Sequence, residues 1–199
     1  GLNATTDTVG SNVPLEAFAL VAGDGASDFV ELVYGGVIHH QLETQGEEYQ
    51  RSFSETPGII DERGVFLAGA SFWVPTFGDG LMTFDLEVGA LVPPWDVVSQ
   101  GRRTRHDLDD EGLRTTAWSL EQPTEEVYLI AGPWTEYGRK AGEVEVFAFL
   151  RDDDPGLAQK YLDATARYLE LYEGMLPPFP YDSFALVENF WETGYGMPG

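Results

Sequence analysis

The chain has 199 residues and a formal net charge of −23, with 34 Asp and Glu against 11 Lys and Arg. This acidic balance argues against nucleic acid or an anionic membrane as partner, because both attract basic surfaces. Hydrophobic content of 43% indicates a globular protein, and the absence of cysteine excludes disulfides, thiolate metal sites and a cysteine nucleophile.

The first third of the chain mixes strand patterns with polar stretches. Residues 1–12 are small and polar, and we expect a loose terminus there. Residues 15–21 and 29–38 alternate apolar and polar side chains around a Gly-Asp-Gly turn at 23–25, which predicts a hairpin. Residues 41–61 are acidic and poorly patterned, which favours a surface loop.

Six further segments carry strand patterns separated by turn residues: 65–74, 81–88, 97–105, 113–120, 127–134 and 144–150. The second of them places its apolar side chains at every other position, as in a half-buried antiparallel strand. The third and fourth flank Asp107 to Gly112 and predict a hairpin. Short strands with frequent turns predict a mostly β fold, an antiparallel β-sandwich or curled sheet over residues 13–152.

The period then changes to that of a helix. Asp154 suits an N-cap, Pro155 suits the first helical position, and Gly174 suits the stop, which together predict a helix over residues 155–173. A Pro-rich turn leads to a predicted strand at 182–190 and a glycine loop at 194–199.

Residues 157–199 carry a family resemblance in the order Phe179-Pro180-Tyr181, Ala185-Leu186-Val187 and Gly194-Tyr195-Gly196-Met197-Pro198. This segment resembles the start of the catalytic domain in the gluzincin aminopeptidases, the family of aminopeptidase N. There a helix passes through a Pro-Tyr-rich turn into a strand and a Gly-Ala-Met-Glu-Asn loop. Four upstream stretches resemble landmarks of that family's N-terminal β domain in the same order: 72–75, 83–88, 99–101 and 128–134.

The resemblance implies that residues 153–199 are one helix and one strand of an incomplete thermolysin-like α/β domain. It implies a substrate-binding edge for peptides at Gly194, Tyr195, Gly196 and Met197. The family's zinc helix, His-Glu-x-x-His, does not occur in this sequence. We therefore expect zinc only in a longer parent protein, and neither catalytic residues nor metal ligands within this chain. The expected partners are a peptide substrate and the remainder of the catalytic domain.

One position departs from the family loop. Pro198 stands where the family has the Glu that binds the substrate's free amino terminus, so the choice between exopeptidase and endopeptidase stays open. Asp182, Glu188 and Glu192 lie close to the glycine loop in sequence. Carboxylates beside a groove can bind a peptide amine or act in acid–base chemistry, and Glu192 is the candidate substitute for the missing Glu.

Other candidate chemistry has simpler explanations. His39 and His40 are adjacent, so on a strand they would point to opposite faces instead of converging on a metal. His106 is expected in an acidic loop. The run from Asp107 to Gly112 imitates the start of a calcium loop, but Trp118 occupies the place of the final Glu, which favours a solvated hairpin turn.

Two other functions remain open. The chain could be a non-enzymatic β-sandwich module that binds protein or carbohydrate through its tryptophans, or a scaffold derived from an inactive peptidase. The tryptophans are Trp73, Trp95, Trp118, Trp134 and Trp191. No apolar run approaches the roughly 20 residues of a membrane-spanning helix. The start, Gly1-Leu2-Asn3, lacks Met and has neither the charged nor the apolar region of a signal peptide, so we expect that any targeting peptide has been removed. A periplasmic or secreted location is slightly favoured over a cytoplasmic one.

Overall fold

The computed structural model describes residues 3–9, 13–19, 29–45, 53–76, 80–191, 193 and 196–199. The chain divides into two compact units, Gly1–Ile38 and His39–Gly199.

In the first unit, β1 (Asn3–Val9) pairs antiparallel with β2 (Val13–Ala19), so the prediction of a loose terminus over residues 1–12 is wrong. Residues 29–38 form no strand, although their alternation predicted one. Val33 and Val37 are each 93% exposed, so burial does not stabilise an extended conformation at these two positions. Alternation alone does not make a strand without a partner that hydrogen-bonds its backbone. The predicted turn at 23–25 lies outside the described residues.

The second unit is mostly β, as predicted, with antiparallel sheets followed by a helix and a last strand. Its elements are β3 (Glu43–Gln45), β4 (Phe53–Glu55), β5 (Gly58–Asp61), β6 (Gly64–Leu67), a 3₁₀ turn (Gly69–Ser71), β7 (Met82–Leu91), β8 (Trp95–Val98), β9 (Arg102–Leu108), β10 (Arg114–Thr124), β11 (Leu129–Pro133), β12 (Thr135–Ala141), β13 (Val144–Leu150), α1 (Pro155–Glu173) and β14 (Ser183–Val187). The hydrogen-bonded orders are β3-β4, β5-β6-β11-β8, β7-β10-β9 and β12-β13-β14. The sheets are open, and the loop predicted at 41–61 instead contains β3, β4 and β5.

The predicted hairpin around Asp107 to Gly112 is present as β9 and β10. Its turn is closed by the Asp109 carboxylate, whose Oδ1 accepts from the backbone N of Glu111 and of Leu113, both at 2.9 Å. Gly112 adopts φ 79°, a conformation that glycine enters freely. His106 therefore lies in β9 and not in the loop where the sequence placed it.

The helix α1 connects β13 to β14, which run parallel. Parallel neighbours need a crossover connection, and α1 supplies it. Its Leu162 and Leu169 are buried in one cluster with Val144 and Val146 of β13. Gly174 follows the helix with φ −74°, so it ends α1 without the left-handed conformation typical of glycine caps. Within the described part of the chain, no helix is long and apolar enough to cross a membrane.

The start of α1 gives a first prediction. The Asp154 carboxylate accepts a hydrogen bond from the backbone N of Leu157 at 2.9 Å, as the sequence predicted for an N-cap. Asp154→Ala should lower the free energy of unfolding by about 1 kcal/mol, because it leaves that N–H without its partner. Urea unfolding measures the loss. Asp152→Ala, two residues outside the cap, should change the value by less than about 0.5 kcal/mol, and equal losses would contradict the cap.

Candidate functional site

A groove of about 740 Å³ lies along β14. All five residues of this strand line it, not every second one. Successive side chains of a strand point to opposite faces, so a groove over one face would touch only alternate residues. The groove therefore follows the edge of the strand.

The opposite wall comes from the four-stranded sheet and is largely apolar. Phe66 of β6, Val98 of β8 and Ile130 of β11 line it, and Trp191 closes it from beyond β14. The rings of Phe66 and Trp191 meet edge to face with centroids 5.2 Å apart. The groove is thus built from segments far apart in sequence.

The outer edge of β14 has no partner among the described strands, because β14 is last in the order β12-β13-β14. Two hydrogen bonds establish which residues face β13. The carbonyl of Asp182 accepts from the N of Glu145, and the N of Glu188 donates to Phe149, both at 2.9 Å. Backbone groups alternate in direction along a strand, so positions 184 and 186 also face β13. The N–H and C=O groups of positions 183, 185 and 187 consequently point away from it.

The structure describes two of the five predicted substrate-binding residues, Gly196 and Met197. Gly196 and Met197 line the groove together with Pro198 and Gly199. Glu192, Gly194 and Tyr195 lie outside the described residues, so their assignment stays a prediction.

Gln100 is a groove residue that the sequence marked only as part of an upstream landmark. It is 3% exposed, and its Nε2 donates to the carbonyl of Pro198 at 3.1 Å and to that of Glu126 at 3.2 Å. Its Oε1 accepts from the N of Tyr128 at 2.8 Å. Gln100 ties the end of the glycine loop to the β sheet, a link of 98 residues that no local pattern signals.

The acidic residues near the loop separate in space. Glu188 lines the groove, and its Oε2 accepts from the backbone N of Arg151 at 2.7 Å. Asp182 is exposed and is not among the residues that line the groove. Glu188 is therefore the described carboxylate that could meet a ligand here.

A second polar cluster joins three sheets around the buried Asp96 of β8. Its Oδ1 accepts from Thr116 Oγ1 at 2.7 Å and from its neighbour's backbone N at 2.8 Å. Its Oδ2 lies 2.7 Å from His106 Nε2 and 3.2 Å from Arg114 Nη1. His106 Nε2 also lies 3.8 Å from an oxygen of Glu136. Asp96, His106 and Glu136 are the described residues whose ligand atoms come close enough to hold a metal.

The ligand atoms of Asp96, His106 and Glu136 do not fit zinc, because two guanidinium groups already bind the two carboxylates. Arg103 donates to both oxygens of Glu136 at 2.7 Å, and Arg114 contacts Asp96. Burial opposes the charge on Arg103, but Glu136 outweighs it and raises the pKa of the guanidinium above its usual value. A dication would meet two fixed positive charges, so we assign the cluster a role in joining the sheets.

Two of the five tryptophans, Trp118 and Trp134, and the paired histidines do not form alternative sites among the described residues. Trp118 and Trp134 are 1% and 5% exposed, and their indole N–H groups donate to backbone carbonyls. Both therefore belong to the core and not to an exposed carbohydrate platform. His39 forms an isolated bridge with Ile59, and neither His39 nor His40 belongs to a described metal-ligand group.

Comparison with known proteins finds a distant structural likeness. No family model matches the chain, and no curated protein matches it. The chain is similar to the crystal structure of a mutant two-domain M1 zinc metallopeptidase bound to L-arginine, with a TM-score of 0.48 and 16% identity over 73% of this chain. It spans 36% of that protein's length. At this identity and TM-score, the likeness assigns no family, activity or ligand to the chain.

Proposed function

We propose that this chain is a non-catalytic part of a zinc-dependent, aminopeptidase-like metallopeptidase and supplies the wall that binds the peptide substrate. The observation that carries the proposal is the coincidence of the groove with the edge of β14 that no described strand pairs with. An extended peptide laid along this edge would pair its backbone with the outward groups of positions 183, 185 and 187, as peptides do when they add a strand to a sheet.

The glycine loop supports the same function. Gly196 and Met197 belong to the stretch that resembles the substrate-binding loop of the gluzincin aminopeptidases, and both line the groove. Gln100 holds the carbonyl of Pro198, which fixes the end of this loop beside the groove. Binding therefore draws on a strand edge and a loop that already lie together.

The proposal predicts that the 199-residue chain binds unblocked hexapeptides with a Kd below about 1 mM, measured by calorimetry. Ala185→Pro removes one outward N–H without touching the hydrogen bonds to β13, and proline is tolerated on edge strands. It should weaken binding about fivefold or more, the effect of one lost hydrogen bond. Urea unfolding of the variant shows whether the fold is retained.

A peptide methylated at single backbone nitrogens gives a second measurement that does not alter the protein. Methylation at a nitrogen that pairs with β14 should weaken binding, whereas methylation at the neighbouring nitrogen should not. Failure of the unmodified chain to bind any peptide would overturn the proposed function. Hydrolysis of the peptides by the purified chain would overturn its non-catalytic part.

A further inference from the structure

The side chains that line the groove define which peptides it accepts, an inference that rests on the proposed function. Several polar groups of the wall are used within the protein. Ser99 Oγ donates to the carbonyl of Tyr128 and Ser183 Oγ donates to that of Gly101, both at 2.6 Å. The Tyr128 hydroxyl donates to Glu126, and burial together with this hydrogen bond raises the pKa of the phenol. These three hydroxyl hydrogens are not available to a ligand.

Gln100 is used in the same way. Its amide nitrogen donates to two backbone carbonyls, and its amide oxygen accepts from a backbone N–H. Thr193 lines the groove, and its hydroxyl is buried with no hydrogen-bond partner among the described residues. This hydroxyl is neutral, so it adds no charge to the wall.

Glu188 is the charged side chain among the described residues that line the groove. One of its oxygens already accepts from Arg151 N at 2.7 Å. The rest of the surface is dominated by aromatic and aliphatic side chains: Phe66, Ile130, Phe184, Leu186, Trp191 and Met197. A Lys or Arg side chain placed against these apolar residues would lose its hydration, which is costly, and the described anionic group that could compensate is the exposed Glu188, one oxygen of which is already bound within the protein.

We infer that the groove holds an extended peptide by its main chain along β14 and selects an uncharged aliphatic or aromatic side chain over Lys, Arg, Asp and Glu. This preference for uncharged side chains runs against the electrostatic field of the acidic chain, which favours cationic peptides. A net charge of −23 attracts cationic peptides from a distance, but salt screens that attraction while leaving contact within the groove. Selection by the groove is therefore measured at high salt.

The test uses hexapeptides with one common backbone and a single guest position, occupied by Phe, Leu, Ala, Lys or Glu. Calorimetry with the intact chain in 0.5 M NaCl gives each affinity. Phe and Leu should bind at least about tenfold more tightly than Ala, because their burial removes apolar surface from water. Lys and Glu should bind no more tightly than Ala.

A matched pair of variants locates the effect. Phe184 is 36% exposed, lines the groove and packs beside Phe179 at a centroid distance of 6.1 Å. Phe184→Ser should reduce the ratio of Phe to Ala affinities at least threefold while the Ala peptide still binds. Tyr168→Ser removes an aromatic ring from α1 that is 57% exposed and does not line the groove, and it should leave the ratio unchanged.

The outcomes separate the two proposals. Equal affinities for all five peptides, or tightest binding of Lys in 0.5 M NaCl, would overturn the selectivity and leave peptide binding intact. Absence of binding by every peptide would overturn both.

Discussion

Asp96→Asn is expected to lower the free energy of unfolding by about 3 kcal/mol, measured by urea denaturation. The carboxylate of Asp96 is 3% exposed and accepts hydrogen bonds from Thr116 and from a backbone N–H. It also contacts His106 and Arg114. Asparagine has the same shape but lacks the charge. Its NH₂ group would take the place of either Oδ1, where it meets the donors of Thr116 and of a backbone N–H, or Oδ2, where it meets the Arg114 guanidinium. The substitution leaves Arg114 without its anion.

An exposed ion pair on β9, the strand that carries His106, provides the control. Asp107 contacts Arg105 at 2.7 Å, but the two side chains are 53% and 46% exposed. Solvent screens such pairs, so Asp107→Asn should cost less than about 1 kcal/mol. Similar losses for Asp96 and Asp107 would show that the buried cluster does not hold the sheets together.

Gly101→Ala is expected to destabilise the fold by at least about 3 kcal/mol. Gly101 has φ 87°, and a Cβ built there would lie 2.1 Å from the backbone oxygen of Ser119. A backbone atom inside β10 cannot rotate away as a side chain could. Since the carbonyl of Gly101 accepts from Ser183 at the start of β14, a displaced turn would also disturb the groove.

Gly112→Ala is the control that separates the cost of a positive φ from the cost of a steric clash at Cβ. Gly112 has a similar φ of 79°, but no heavy atom within 4 Å would meet its Cβ. The substitution should cost about 1 kcal/mol, the penalty of a left-handed conformation for alanine. The comparison is made by thermal and urea unfolding of both variants. Equal losses would mean that the close approach at Gly101 relaxes without cost.

The sequence predicted those elements whose side-chain pattern matches their burial. In β7 the apolar positions are half-buried and the polar positions exposed, so alternation was a sufficient signal. The polar strand β12 went unpredicted because its residues carry no apolar alternation, and its partner β13 supplies the hydrogen bonds. Residues 29–38 show the reverse case, in which alternation is present but no described strand pairs with it.

The candidate site was less accessible to sequence reasoning than the fold. The loop residues Gly196 and Met197 were recognised from their motif. Phe66, Gln100 and Ile130 were not, because a groove wall depends on which strands become neighbours after folding. Likewise, the order β5-β6-β11-β8 brings together strands from distant parts of the chain. A hydrophobic pattern indicates that a residue is buried, but not what it faces.

The short length of β14 limits how many residues of a peptide could pair with it. The strand has five residues, Ser183–Val187, and the backbone N–H and C=O groups of three of them, at positions 183, 185 and 187, point away from β13. A peptide bound as proposed would therefore pair with this edge over about five of its own residues. A longer peptide would gain no further backbone hydrogen bonds from β14, so the proposal expects discrimination among peptides to depend on sequence within those five residues and not on length.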